Sequence, residues 1–378
     1  MLFLILSTHD RWTGMAQPTS PEWPSEPRVV IKHKIYQLYL ECWMAKICQR
    51  FRRAVIVDGF AGPGGYTDGV EGSSLVVART FLNHAALGRF HRLDVLCTEV
   101  SPERWERLRA RVQTIPRHHC LRIFPLREEF VSTIERVDEL LGGDRENVPV
   151  LWLLDPFDLK NLPFSTIKRC LANRRDEMLM TWFSDEVFRF CTQANFSAAL
   201  DRYYGDHAWQ AALEVRGEAG RKKALMDAYE RNLGALSLKA AHLEIASKNA
   251  TARYSIVFAT HSKYGLDCWN PVRWKLDPVA GKSVSEKIHP AQGIMFSDTG
   301  PLRAALMPVS AKASTFLELQ SIARDCGYTE SLLRSVLDEL ADDGLAVREL
   351  PLQAHSPWPE ESVIRIYPES SFTLETET

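Results

Sequence analysis

Residues 54–66 read Ala-Val-Ile-Val-Asp-Gly-Phe-Ala-Gly-Pro-Gly-Gly-Tyr, and few folds accept such a run. Its apolar, β-branched start predicts a buried parallel strand, which breaks at once into Gly59, Gly62, Gly64 and Gly65 beside an acid, Asp58. Open α/β sheets bind ligands at such strand ends: glycines let a nucleotide approach the backbone, and a carboxylate at the tip holds a cationic group or a hydroxyl. Two readings stay open here, a nucleotide-type cofactor loop and a plain strand-to-helix turn, because Gly62-Pro63-Gly64 is not the full dinucleotide fingerprint.

The flanking pattern supports a sheet of several such strands. Apolar runs at 93–98, 121–124, 148–154 and 178–183 alternate with helical segments, which predicts a doubly wound α/β fold with right-handed crossovers and its functional loops along one edge. Asp58, Glu99, Glu129 and Asp155 then converge at the carboxyl ends of neighbouring strands. Glu71-Gly72-Ser73-Ser74 offers a serine N-cap to the first crossover helix. Residues 188–236 read as a helical insertion with Tyr203, Tyr204, Trp209 and Tyr229 as packing aromatics. Residues 241–246 and 254–260 read as an antiparallel hairpin closing the sheet, with a turn at 248–250 and with His261 and Lys263 at or near the functional edge.

Before the first strand, residues 1–28 read as a flexible leader rich in Pro, Ser and Thr, with Trp12 and Trp23 isolated and Met15 as an alternative start. From Val29 a helix carries Ile35, Leu38, Tyr39, Cys42 and Trp43 at helical spacing. A solvated helix start is favoured for Lys32, His33 and Lys34 over a phosphate or substrate contact. The core domain spans 29–285 and a linker 286–307. Residues 308–370 hold two helices, the second capped by Thr329, and a two-stranded ribbon, a winged-helix order; 371–378 is a tail. The second helix carries Glu330, Asp338, Glu339, Asp342 and Asp343 against Arg334, so protein contact is favoured over duplex readout.

A net charge of -2 excludes coating of nucleic acid by bulk charge. The 8 cysteines form no Cys-x-x-Cys pair, so no metal site is expected and a reducing, cytoplasmic setting is the simpler reading. The apolar start at 1–6 is too short for a signal or a membrane span.

The spacing also limits the chemistry. Gly62 and Glu99 stand 37 positions apart (99 − 62), against about 20 in a dinucleotide fold, which disfavours a nicotinamide oxidoreductase. Glu99 suits a ribose diol, and Glu128 or Glu129 an adenine amine. Asp155-Pro156-Phe157 either ends a strand in a turn or holds an exocyclic amine by its carboxylate and carbonyl while the ring stacks on a planar base, the apparatus of methyl transfer to an amino group.

Asp58-Gly59-Phe60-Ala61-Gly62-Pro63-Gly64, Tyr66, Asp68-Gly69, Gly72-Ser73, the Lys32-His33-Lys34-Ile35 helix, Leu154-Asp155-Pro156-Phe157 and Trp274-Lys275-Leu276-Asp277-Pro278 together resemble the three-Cys-motif partner protein family, TcmP, over most of the chain. The first part is also similar to RlmJ-type rRNA adenine N6-methyltransferases. The resemblance implies a Rossmann-like class I S-adenosyl-L-methionine methyltransferase fold, with Asp58, Gly59, Phe60, Gly62, Gly64, Glu99 and Glu129 as the cofactor set. It implies Asp155, Pro156 and Phe157 at the catalytic position, and a separate partner carrying three cysteines. Asp155-Pro156-Phe157-Asp158 departs from the adenine enzymes' Asp-Pro-Pro-Tyr, with the aromatic one position early. The expected function is methyl transfer from S-adenosylmethionine to an amino group, nucleic acid being the favoured substrate class. The alternative is a non-catalytic partner protein that docks a three-cysteine-motif protein through its winged helix.

Overall fold

The computed structural model describes residues 20–246, 252–285, 297–310, 312–350 and 357–368. Met15, Trp12, the turn at 248–250, most of the linker and the tail lie outside the described residues.

Pro27 opens helix α1 (Pro27–Arg50), its fixed φ suiting the first helical turn. Strand β1 (Arg53–Asp58) follows, then α2 (Ser73–Leu82), β2 (Arg92–Thr98), α3 (Pro102–Gln113), β3 (Leu121–Leu126), α4 (Phe130–Leu141), β4 (Val150–Leu154), α5 (Phe164–Cys170) and β5 (Asp176–Trp182). Helices α6 (Ser184–Phe190), α7 (Ser197–Tyr204) and α8 (Glu218–Gly234) make the insertion, where Tyr203, Tyr204, Trp209 and Tyr229 are buried against one another. Then come β6 (Lys239–Ala246), β7 (Ala252–Thr260), α9 (Lys263–Leu276) and the short β8 (Ser283–Ser285).

The eight strands run in the order β3-β2-β1-β4-β5-β7-β6-β8. Strands β1 to β5 are mutually parallel, and β7 is antiparallel to both β5 and β6. The start, 3-2-1-4-5, is that of a doubly wound sheet, but β7 stands where a dinucleotide fold continues with a sixth parallel strand. Side chains alternate between the faces: Ala54 and Ile56 join the core under α1, α2 and α9, while Val55 and Val57 join the core under α4 and the insertion.

Beyond the sheet, α10 (Gly300–Leu306), β9 (Ala313–Thr315), α11 (Phe316–Asp325), α12 (Glu330–Asp342), β10 (Ala346–Leu350) and β11 (Val363–Ile366) enclose a third core. Trp274 of α9 enters that core and donates to Gly327 O at 2.8 Å. Thr329 caps α12 by accepting from Leu332 N, as expected, and Thr315 and Glu318 form a capping box on α11.

Four expectations are corrected. Residues 20–26 are not a free leader: Trp23 O accepts from Thr67 N, Ser25 donates to Asp68, and Glu22 pairs with Arg107 and Arg111. Residues 300–306 are helix rather than linker, because Leu302 and Leu306 bury into the third core. His261 and Lys263 sit at the opposite edge from the glycine loop, since antiparallel β7 ends with Thr260 opposite Glu177, near the amino end of β5. Cys42 and Cys268, 226 positions apart, form a disulfide where α1 packs beside α9. Disulfides characterise oxidising compartments, so cysteine usage no longer favours a reducing one. No helix among the described residues is long and apolar enough to cross a membrane.

Candidate functional site

The carboxyl ends of β1 and β4 open on a cavity of about 370 Å³, within the range of small-molecule sites. The glycine loop forms one wall. Gly62 adopts φ +60 with nothing within 4 Å of where a Cβ would stand, so its backbone faces open space. Gly72 and Gly64 are pressed together: a Cβ on Gly72 would lie 2.6 Å from the Gly64 carbonyl carbon, and Gly72 N donates to Gly64 O at 2.9 Å. That contact closes the loop, with Tyr66 N bonded to Val70 O inside it.

Ser73 and Ser74 do not cap α2 with their side chains; Gly72 holds the cap position. Both hydroxyls instead donate to Asp58 Oδ2 at 2.6 Å, because the carboxylate at the end of β1 is buried directly beneath the helix start. Burial pushes the Asp58 carboxyl above the ordinary range, against those hydrogen bonds and the Lys32 charge.

Asp155 follows β4 and lines the cavity with Pro156 and Phe157. Its Oδ2 pairs with Lys32 Nζ and its Oδ1 accepts from Thr181 Oγ1 at 2.6 Å. Burial alone would raise this carboxyl, but the Lys32 ammonium and the two hydrogen bonds outweigh it and hold the group below the usual carboxylate range. The same attraction overcomes the burial of Lys32, whose affinity for its proton rises. His33 is buried beside that ammonium; burial first, then the Lys32 charge, lowers it to about 3, so the ring is neutral near pH 7. The favoured reading of Lys32 and His33 as a solvated helix start is therefore overturned, while Lys34 is exposed. The missed signal is spacing: Lys32, Tyr36, Tyr39 and Trp43 recur along one helical stripe and all are buried. Tyr36 keeps a buried hydroxyl with no hydrogen-bond partner among the described residues.

The cofactor set expected from sequence divides. Phe60 and Gly62 line the cavity, and Phe60 packs on Phe130 at 5.2 Å. Gly59 and Gly64 are packing positions, a Cβ meeting Phe130 at 2.6 Å and Leu108 at 2.9 Å respectively. Glu99 lies just past β2, is 6% exposed, and accepts from Ser101 N at 2.7 Å; it does not line the cavity. Glu129 is exposed ahead of α4, and Glu128 binds Arg136 and Thr133.

Three residues that sequence reasoning did not select complete the walls. Tyr254 reaches the rim because antiparallel β7 begins there, donating to Arg28 O at 2.8 Å. Thr181 comes from the end of β5. Trp23 meets Phe157 and Tyr66 edge-on, each with ring centroids 6.1 Å apart, and the Arg104 guanidinium lies 5.1 Å from the Trp23 ring and 5.6 Å from Phe157. This stack joins α3 to the end of β4, across the end of β1. Away from the cavity, His118, His119 and Cys120 bring three donor atoms within 4.8 Å of one another.

No family profile matches the chain, and no curated protein does. Among solved structures, it is similar to Trm1 from Pyrococcus horikoshii in complex with S-adenosyl-L-methionine, with TM-score 0.40 and 14% identity, covering 69% of this chain and 62% of that one. It is similar to cofactor-bound Rv0187 from MTB with TM-score 0.31 and 16% identity, over 60% and 80% of the two chains. For a putative O-methyltransferase from Klebsiella pneumoniae the values are 0.32 and 14%, over 63% and 90%.

Proposed function

We propose that the chain is an S-adenosylmethionine-dependent methyltransferase acting on an amino group, with nucleic acid as the substrate class. One observation carries this reading: an ionised carboxylate, Asp155, stands in a cavity that the open backbone of Gly62 also lines. Phe60, Ala61, Gly62 and Ser73 would hold the cofactor, and the bare backbone at Gly62 is a cradle that any side chain would fill. The bound cofactor supplies an electrophilic methyl group.

The chain's own residues position the acceptor. Asp155 has one contact on each oxygen and a free lone pair on both, so it accepts N–H bonds from an amine while Lys32 keeps it ionised. The Phe157 ring offers a face to a planar base, and Trp23, Tyr66 and Phe183 narrow the space left to water. Glu99 keeps its role as ribose acid only where the Trp23–Arg104–Phe157 stack parts, so movement of residues 20–26 belongs to the proposal.

The test supplies isotopically labelled S-adenosylmethionine and cellular RNA, DNA and protein fractions to the purified chain. The expected result is label in a nucleic-acid fraction, lost in Asp155→Ala. Absence of cofactor binding by calorimetry, or label confined to protein, defeats the reading.

A second reading has its own observation. Leu317, Val347 and Leu350 are exposed on the carboxyl-terminal unit, and α12 presents Asp338 and Glu339 to solvent. That suits a winged-helix domain, residues 308–370, that contacts a protein such as a three-cysteine-motif partner rather than phosphates. Co-purification with such a partner, abolished by Leu350→Asp and untouched by Asp155→Ala, would favour it.

A further inference from the structure

We propose that a second ligand site lies at the amino edge of the sheet and binds a nucleotide unit, a phosphate carried beside a planar base. The cavity there measures about 450 Å³. It is formed where the last turns of α1, the segments entering β1, β4 and β5, and the start of α9 meet. Strands of five to seven residues at about 3.3 Å per residue put it roughly 20 Å from the glycine loop, so it is no extension of that cavity.

Its charge is unbalanced. Lys46, Arg50, Arg174 and Arg175 all line it, and none of the four forms an ion pair within the described chain. By contrast, Arg53 and Arg92 at the starts of β1 and β2 share Asp94, and Arg145 grips Asp176 with two hydrogen bonds. The single acid in the cavity wall, Glu177, is buried and already occupied, accepting from Tyr39 Oη at 2.9 Å and Thr260 Oγ1 at 2.6 Å. Burial pushes the Glu177 carboxyl up and lowers the Lys46 ammonium. Four cations around one concavity repel one another unless an anion enters.

The rings supply the second half of the recognition. Tyr264 is 56% exposed at the cavity wall, and Lys46 donates to its backbone carbonyl at 3.4 Å. Arg175 lies 5.0 Å over the Phe51 ring and Arg50 5.9 Å, so that ring orders two guanidinium groups. The Lys263 ammonium lies 5.4 Å from the centroid of the Tyr264 ring, and cations beside an exposed aromatic ring are how proteins hold the backbone and bases of single strands, sequence-tolerantly. Bidentate guanidinium geometry suits phosphate oxygens. The Cys42–Cys268 bond ties the α1 and α9 walls together.

The full chain is titrated with inorganic phosphate, a nucleoside monophosphate and a labelled single-stranded oligonucleotide. Comparison variants are Arg174→Glu with Arg175→Glu, Arg50→Gln, and Tyr264→Ala, all at exposed positions, with circular dichroism to verify folding. The expected result is that the nucleotide or oligonucleotide binds more tightly than phosphate. Charge reversal lowers that affinity at least tenfold and flattens its salt dependence, and Tyr264→Ala lowers it about tenfold. Equal affinity for monophosphate and oligonucleotide identifies a free nucleotide as the ligand, and a tighter oligonucleotide identifies a strand; both support the site. Absence of binding by the folded wild type, affinity unchanged in the folded charge-reversal variant, or phosphate binding as tightly as nucleotide overturns it.

Discussion

The two cavities, one at each end of the sheet, treat positive charge in opposite ways. At the carboxyl edge Lys32 is buried and matched to Asp155, which in turn is bonded to Thr181. At the amino edge Lys46, Arg50, Arg174 and Arg175 are exposed and unmatched. A matched, desolvated pair holds the walls of its own site in place; unmatched cations in a concavity leave their partner to be supplied from outside. The same helix, α1, provides a lysine to each arrangement.

The sharpest way to break this contrast is to remove the internal partner. Lys32→Met leaves the Asp155 charge uncompensated and should cost roughly 2–3 kcal/mol by urea denaturation, below the 3–5 of a fully enclosed pair because the Asp155 side chain is 34% exposed. Adding Asp155→Asn should recover most of that loss. A loss under about 0.5 kcal/mol would mean the pair is no more structural than a surface one. Removal of one amino-edge arginine, Arg174, should by contrast leave stability within about 0.5 kcal/mol.

Acidity sharpens the comparison from the other side. His33 is lowered from 6.5 to about 3 on folding, so between those values the unfolded chain binds the extra proton and stability falls as pH drops. Asp155, also lowered, loses its contribution as pH falls further, below the ordinary carboxylate range. His33→Leu should flatten the decline between pH 6 and 4 by up to about 1.4 kcal/mol per pH unit. An unchanged slope would show that the ring is not held neutral. The smallest effect belongs to the docked segment: Glu22→Ala removes contacts to Arg107 and Arg111 that are partly exposed, and should cost less than about 1 kcal/mol while raising hydrogen exchange at Thr67.

What is legible in the sequence is what local pattern encodes. Apolar β-branched runs ending in Asp58, Glu99 and Asp155 give the strands and the edge they share, and Thr329 with Gly344 bounds α12. The misses concern long-range pairing. Nothing near Trp23 announces that it will seat between Tyr66 and Phe157, and Lys32 looks solvated until Asp155, 123 positions away, is brought beside it. His261 and Tyr254 exchange edges because strand direction, not strand existence, decides which end faces the site. Glu99 and Glu128 carry the charge expected of cofactor ligands, but a backbone N–H and an arginine respectively already engage them.

Helix α1, at 24 residues about 36 Å long, is bolted to α9 at Cys42, between the turn bearing Lys32 and the turn bearing Lys46. A rod fastened two thirds of the way along does not slide past the neighbour it is fastened to. Reducing that single covalent bond would leave the two helices held together by side-chain packing alone.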